Sequence, residues 1–188
     1  MHNDEGVYFM PIDMKNIISN TLVSMARQKG IDKITVKALI DECNISRQTF
    51  YYHFQDIMEV IEWSMEQASK NMLARSLEAE TPEDAIGVLI SSAAENRTLI
   101  RKLLDSQQRE QIEKLFVQAA RTYLQELIRN KAQSVSLNYS DMEVALDFWA
   151  FGISGLLFKH CEQEQIDAKS LASQICRLLP NRSEKDIK

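Results

Sequence analysis

The sequence contains little glycine and little proline. Among its 188 residues there are five Gly and three Pro. Sandwiches and barrels built from β-strands need many tight turns, and those turns consume both residue types. Because so few positions would break a helix, the shortage predicts an all-helical protein.

Cysteine and long apolar runs are also scarce. Cys43, Cys161 and Cys176 have spacings that match no zinc or disulfide framework. We therefore expect reduced thiols, a cytoplasmic protein, and neither a metal nor another cofactor. The most apolar segment, residues 148–158, is shorter than the ~20 residues of a membrane helix and predicts a buried helix. Residues 1–10 contain no apolar run, so a secretory signal is not expected.

The composition is that of a globular protein. Hydrophobic residues make up 45% of the chain and charged residues 26%, which is too apolar for a disordered chain. The formal net charge of −5 gives no general attraction to nucleic acid. Net charge averages over the whole surface, however, and binding needs only one positive face.

Helical periodicity with clear boundaries runs nearly from end to end. The first predicted helix covers residues 12–28 and ends before Gly30, a typical C-terminal stop. Thr35 and Ser46 each stand before a short amphipathic helix, where a hydroxyl can cap the first N–H groups. Further helices are predicted over about 55–77, 86–94, 97–106, 109–131 and 168–179. Thr81 and Pro82 are start signals, and Pro180 marks an end. A capping box at Ser140 precedes a further long apolar helix.

The two short helices form the informative part of the chain. Only Asn44, Ile45 and Ser46 separate them, a turn too short for antiparallel stacking. Helices joined in this way cross at a wide angle, as in a helix-turn-helix. Asn44 suits the turn because asparagine tolerates the left-handed backbone conformation. The sequence therefore predicts a DNA-binding helix-turn-helix over about residues 35–54.

The second of these helices has two different faces. Phe50 and Phe54, four residues apart, are predicted to pack inward, and the opposite face carries arginine, glutamine and tyrosine. Arginine reads guanine, glutamine reads adenine, and tyrosine can donate to phosphate or pack on a thymine methyl group. The predicted DNA-binding residues are Thr35, Lys37, Arg47, Gln48, Thr49, Tyr51, Tyr52 and His53. For His53, a phosphate contact and a role as a cap on the core are both open.

The run from Thr35 through Ile45 to Phe50-Tyr51-Tyr52-His53-Phe54 resembles the DNA-binding domain of the TetR family. The resemblance covers about residues 12–63. It implies cytoplasmic homodimers that bind palindromic double-stranded DNA operators. It also implies an all-α fold with an N-terminal helix-turn-helix DNA-binding domain, here residues 1–56, and a C-terminal helical ligand-binding and dimerisation domain, here residues 57–188.

One departure from the family pattern concerns phosphate contacts. Members commonly carry a lysine at the start of the fourth helix that contacts phosphate, and this sequence has Ile57 there. Acidic residues also outnumber basic ones over residues 31–56. Because each neutralised phosphate adds roughly 0.9 to the salt slope, we predict weaker and less salt-sensitive DNA binding.

The C-terminal part predicts a dimer and a small-molecule effector. Residues 147–161 are apolar nearly all round and include small residues, so this helix, with residues 168–179, can pair with a second copy in a four-helix interface. The alternative is a central helix of a monomeric domain. Candidate effector-binding residues, each also compatible with ordinary core or surface, are Trp63, Arg97, Tyr123, Trp149 and His160.

The sequence favours one functional class over two others. The favoured one is a repressor of TetR type that a small effector controls. The alternative is a co-regulator or activator of the same fold that acts through protein contacts and binds DNA weakly by itself. An enzyme is not expected, because no nucleotide-binding, nucleophile-elbow or zinc-protease motif occurs and the three histidines are scattered.

Overall fold

The computed structural model describes residues 13–131, 138–162 and 167–178. The described part contains α-helices, one 3₁₀ turn at Ile31–Lys33 and no β-strand, which confirms the all-helical class. None of the helices in these ranges has the length and apolarity needed to cross a membrane. The predicted features at residues 1–10, Ile12, Leu179 and Pro180 lie outside the described residues. The helices are α1 (Met14–Lys29), α2 (Val36–Cys43), α3 (Arg47–His53), α4 (Ile57–Glu78), α5 (Pro82–Glu95), α6 (Arg97–Leu104), α7 (Arg109–Lys131), α8 (Tyr139–Glu162) and α9 (Ala168–Leu178).

Side-chain hydroxyls begin three of the helices as predicted. Thr35 Oγ1 accepts the backbone N–H of Ala38 at 3.1 Å, and Ser46 Oγ accepts that of Thr49 at 2.9 Å. Thr81 caps α5 in the same way. Each bond satisfies one N–H group that has no partner within the helix, so these residues fix where the helices start.

Two positive backbone angles end helices at the predicted positions. Gly30 has φ 78° and its N–H donates to the carbonyl of Ala26 at 3.0 Å, which closes α1. Asn44 ends α2 in the left-handed conformation, with φ 52° and ψ 47°. Side chains other than glycine, asparagine and aspartate pay a steric cost in this region, which explains the residue types at both positions.

The predicted start of α8 was wrong by two residues. Asn138, rather than Ser140, is the cap, because its Oδ1 accepts the N–H of Asp141 at 2.9 Å. The Asn138 amide also donates to the Asp141 carboxylate at 2.7 Å. The helix consequently begins at Tyr139, and Ser140 lies exposed within its first turn.

The buried side chains form two clusters. The N-core lies between α1, α2, α3 and the start of α4, and it also receives Leu103 from α6 and Ile112 from α7. The C-core lies between α5, α7, α8 and α9 and includes Tyr123 and Cys161. Because α6 and α7 contribute to the N-core, the helix-turn-helix is packed against the rest of the molecule.

Candidate nucleic-acid interface

Two phenylalanines fix the orientation of α3. Phe50 is 0% exposed and Phe54 is 1% exposed, so the inward face of α3 is held in the N-core. The turn before α3 is held by the Ile45 N–H, which donates to the carbonyl of Ile40 at 3.2 Å. The opposite face of α3 is therefore presented in one orientation.

That opposite face is an exposed polar and aromatic surface. Tyr52 is 83% exposed and Tyr51 is 46% exposed, and Arg47 and Gln48 are exposed as well. The Arg47 guanidinium carbon lies 5.5 Å from the centroid of the Tyr51 ring. Stacking on the ring restricts the Arg47 side chain before any ligand arrives.

Thr49 and His53 lie at the edges of this surface. Thr49 is half-buried, and its Oγ1 lies 2.8 Å from Ser46 Oγ, so its hydroxyl belongs to the cap of α3. His53 is half-buried and meets the Tyr52 ring edge-on, with the ring centroids 4.9 Å apart. His53 thereby supports the most exposed aromatic side chain of α3.

The start of α2 forms a second exposed edge. Thr35 and Lys37 are exposed there, and Lys33 is exposed just before them. Because the Thr35 hydroxyl accepts from the Ala38 N–H, its own proton remains available to a phosphate oxygen. The positive end of the helix dipole and the two lysines favour an anion at this edge.

The start of α4 carries acids and an apolar side chain. Asp56 Oδ1 accepts the N–H of Glu59 at 2.9 Å, and Glu59 Oε2 accepts the N–H of Gln55. Ile57 is half-buried and packs against the N-core. The N–H groups of Gln55 and Glu59 are thus bound by carboxylates, whose charge disfavours a phosphate at this helix start, and no cation stands at position 57.

Sequence reasoning missed one cation at this edge. Lys15, near the start of α1, places its Nζ 5.0 Å from the centroid of the Phe54 ring. Phe54 is the residue that ends α3. The two residues are far apart along the chain, and no local pattern in the sequence indicates that they meet.

Family comparisons agree with this geometry. The family described as "Bacterial regulatory proteins, tetR family" matches residues 20–62, and "Transcriptional regulator C-terminal region" of the TetR type matches residues 80–181, more than half of the chain. The chain belongs to the TetR family. TetR-family regulators bind DNA, dimerise and are generally without enzymatic activity.

Solved structures with the same fold are similar at low identity. They include a dihydroxyacetone kinase operon activator, DhaS, with TM-score 0.67 and 18% identity, covering 87% of this chain and 92% of that one. A TetR regulator from Streptococcus agalactiae has TM-score 0.62, 18% identity and the same two coverages. A protein from Listeria innocua has TM-score 0.67 and 16% identity, covering 90% and 93%. Comparison with curated protein sequences found no match.

The five candidate effector-binding residues of this TetR-family chain are divided between different parts of the fold. Trp63 packs against the N-core, with its ring centroid 6.1 Å from that of Phe54. Tyr123 belongs to the C-core, and Trp149 packs against it. His160 is half-buried near the end of α8, and Arg97 begins α6. Trp63 is therefore grouped with the helices of the N-core, apart from Tyr123 and Trp149.

Tyr123 is part of a buried polar cluster. Its hydroxyl donates to the carbonyl of Ala85 at 3.0 Å and lies 2.7 Å from Ser76 Oγ. Ser76 Oγ also bonds the carbonyl of Met72 at 2.9 Å. Burial raises the pKa of the Tyr123 phenol, which keeps it protonated as a donor. These bonds tie α4, α5 and α7 together.

Arg97 carries a buried donor without a partner. Among the described residues, its Nε is the buried side-chain nitrogen or oxygen atom that forms no hydrogen bond. Buried polar groups are normally paired, so an exception calls for a chemical explanation. An oxygen acceptor placed beside this Nε–H would complete it.

One face of α8 is apolar and exposed. Val144 is 68% exposed, Phe148 is 74% exposed and Phe151 is 65% exposed, and their spacing places them on one side of the helix. At Gly152 and Gly155 a Cβ atom would meet no other atom within 4 Å. We call Val144, Phe148, Phe151, Gly152 and Gly155 the α8 face. Neighbouring exposed apolar side chains of this kind are typical of interaction surfaces.

Polar contacts join α1 to α6. Lys102 Nζ donates to the carbonyl of Arg27 at 2.7 Å and to that of Gln28 at 2.6 Å. Arg27 donates to the side-chain oxygen of Asn96, just before α6. A cation at the end of α1 also interacts favourably with its helix dipole. The DNA-binding domain is therefore connected to α6 by polar bonds as well as by the shared N-core.

Proposed function

We propose that this TetR-family chain is a cytoplasmic regulator that reads a palindromic operator as a homodimer. The observation that carries the proposal is the exposed surface of α3, formed by Arg47, Gln48, Tyr51 and Tyr52. Among these residues, Tyr52 is 83% exposed, and the exposed Arg47 is stacked on Tyr51. Both side chains suit the major groove of DNA.

Each residue of the surface has a distinct proposed role. Arg47 would pair with guanine and Gln48 with adenine through two hydrogen bonds each. The tyrosines would donate to phosphate or pack on thymine methyl groups. Thr35 and Lys37 at the start of α2 would bind the backbone on one side of the groove and so fix the position of α3.

The α8 face supports the homodimer. One recognition helix reads only a few base pairs, and a palindrome requires two helices about 34 Å apart. A second copy covers Val144, Phe148 and Phe151 with the same residues, as a two-fold interface requires. The glycines of the face allow the two helices to approach closely.

We further propose that a small effector in the C-terminal domain controls DNA binding and that the output is repression. The unpaired Nε of Arg97 and the bonds between α6 and α1 support the effector-control part of this proposal. An effector that favours one spacing of the two α3 helices would shift the population that fits the operator. A ligand that binds the C-terminal domain and leaves operator affinity unchanged would contradict effector control.

A second candidate is a co-regulator or activator that acts through protein contacts. The carboxylate caps at the start of α4 and the absence of a cation at position 57 favour it, because both reduce attraction to phosphate. One solved structure of the same fold is named as an operon activator. Weak DNA binding together with tight binding to a partner protein would distinguish this candidate.

Selection of bound duplexes from a random DNA library tests the proposal. The selection uses the purified protein at physiological salt, with Arg47→Ala and Tyr51→Ala as test variants and Lys114→Ala, an exposed cation on α7, as the control. We expect a palindrome with half-sites about one helical turn apart, retained by the control and lost in the test variants. Absence of enrichment from folded protein would favour the second candidate.

A further inference from the structure

The start of α4 contributes no cation to the proposed DNA-binding surface. Asp56 and Glu59 use their carboxylates as caps, and Ile57 packs on the N-core. A phosphate placed directly at this helix start would meet two carboxylates. Any cation for this edge must therefore come from another element.

The relative register of α1 and α4 brings such a cation close. Ser19 Oγ lies 2.6 Å from Ser64 Oγ, so the two helices touch a short distance after each of them begins. Lys15 lies one turn before Ser19 on α1, and it meets Phe54 just before α4. Both helices thus begin at the same edge, where α3 ends.

We propose that Lys15 supplies the DNA phosphate contact at this edge, in place of a lysine at the position of Ile57. The inference rests on the proposed DNA-reading function and specifies one part of it. Lys15 Nζ lies 5.0 Å from the centroid of the Phe54 ring. This cation–π contact restricts the Lys15 side chain and leaves its N–H donors free to bond a phosphate.

The charges around Lys15 are consistent with this role. Within the part of the chain that the structure describes, Lys15 forms no ion pair with a carboxylate. The neighbouring acid Asp13 accepts from the backbone N–H of Asn16 at 3.2 Å and from its side-chain amide at 2.6 Å. Asp56 and Glu59 are occupied as caps of α4. Lys15 is therefore available as a cation while the nearby carboxylates are engaged.

Counterion release gives the expected size of the effect. Each phosphate contact contributes about 0.9 to the slope of log K against log salt, so two contacts in a dimer contribute about 1.8. Between 1 M and ~0.15 M salt, that slope corresponds to roughly 30-fold in affinity. Because a phosphate contact carries no base information, the preferred DNA sequence should stay the same.

The test measures operator affinity by fluorescence anisotropy over a series of potassium chloride concentrations. The main variant is Lys15→Met, which keeps an apolar stem over Phe54 and removes the charge. Lys15→Arg and the double change Lys15→Met with Ile57→Lys are the rescue variants. Lys29→Met, at the far end of α1, is the matched control, and thermal unfolding verifies that every variant is folded.

We expect Lys15→Met to lower the salt slope by about 1.8 per dimer and to weaken binding roughly 30-fold at ~0.15 M salt. Both rescue variants should return towards the original slope, and Lys29→Met should match the unmodified protein. An unchanged slope in folded Lys15→Met, with normal operator binding by the unmodified protein, overturns this inference alone. If the unmodified protein selects no DNA sequence, the proposed function and this inference both fail.

Discussion

We expect Phe148, at the centre of the α8 face, to contribute strongly to the free energy of dimerisation. An aromatic side chain of this class buries about 150–250 Å² when fully covered. Because Phe148 is 74% exposed in the single chain, about 150 Å² remains for a second copy to cover. At ~25 cal/mol per Å², that area contributes about 4 kcal/mol for each protomer.

Because the dimer is two-fold symmetric, each substitution removes the same side chain from both protomers and its effect on the dimerisation free energy is doubled. Phe148→Ala would remove about 8 kcal/mol if coverage were complete, and we expect about 5 kcal/mol because alanine keeps its Cβ. A change of this size weakens the dimer by three to four orders of magnitude, since ~1.4 kcal/mol is tenfold. Operator binding should weaken with it, because the two α3 helices are no longer held together.

Sedimentation equilibrium over a wide range of protein concentrations measures the dimer dissociation constant. Tyr52→Ala is the matched control, because Tyr52 is an exposed aromatic residue of similar accessibility on α3. The control should keep the dimer and lose operator binding, whereas Phe148→Ala should lose both. A folded Phe148→Ala protein with the original dimer dissociation constant would refute the assignment of the interface to the α8 face.

Three further predictions concern the interior and the junction between α1 and α6. Tyr123→Phe removes the buried hydroxyl and should lower the free energy of unfolding, measured by urea denaturation, by about 1–2 kcal/mol. The control Tyr139→Phe, at an exposed position, should change it little. Equal effects of the two substitutions would contradict the role of the buried polar cluster. Lys102→Met should cost about 1 kcal/mol at low salt and less at high salt, and a loss independent of salt would argue against a charge interaction with the end of α1. Burial raises the pKa of the Cys161 thiol above its ordinary value, so its contribution to stability is complete below the unfolded-state pKa and is lost as the pH rises through the higher folded-state pKa. Unfolding measured between about pH 7 and 10 should therefore show a smaller alkaline loss in Cys161→Ala, and parallel profiles would contradict this.

The sequence by itself determined the local structure of the DNA-binding domain. The caps at Thr35 and Ser46 and the left-handed turn at Asn44 each involve residues within a few positions of one another. Their physical chemistry is therefore complete in a short stretch of chain. The two faces of α3 were predicted for the same reason, because helical periodicity separates Phe50 from Tyr52.

Local sequence signals were insufficient at the start of α8, where two residues could cap the helix. Asn138 and Ser140 are both good capping residues, and the sequence pattern predicted Ser140. The structure uses Asn138, whose side chain bonds both the backbone and the carboxylate of Asp141.

Only the tertiary structure decided which faces of different helices meet. Periodicity indicated that α8 is apolar nearly all round, but packing left Phe148 and Phe151 exposed and buried Ala150 and Ile153. The contact of Lys15 with Phe54 likewise depends on how α1 lies across the end of α3. Such contacts join residues distant along the chain, and they result from the combined packing of many side chains, which no short segment specifies.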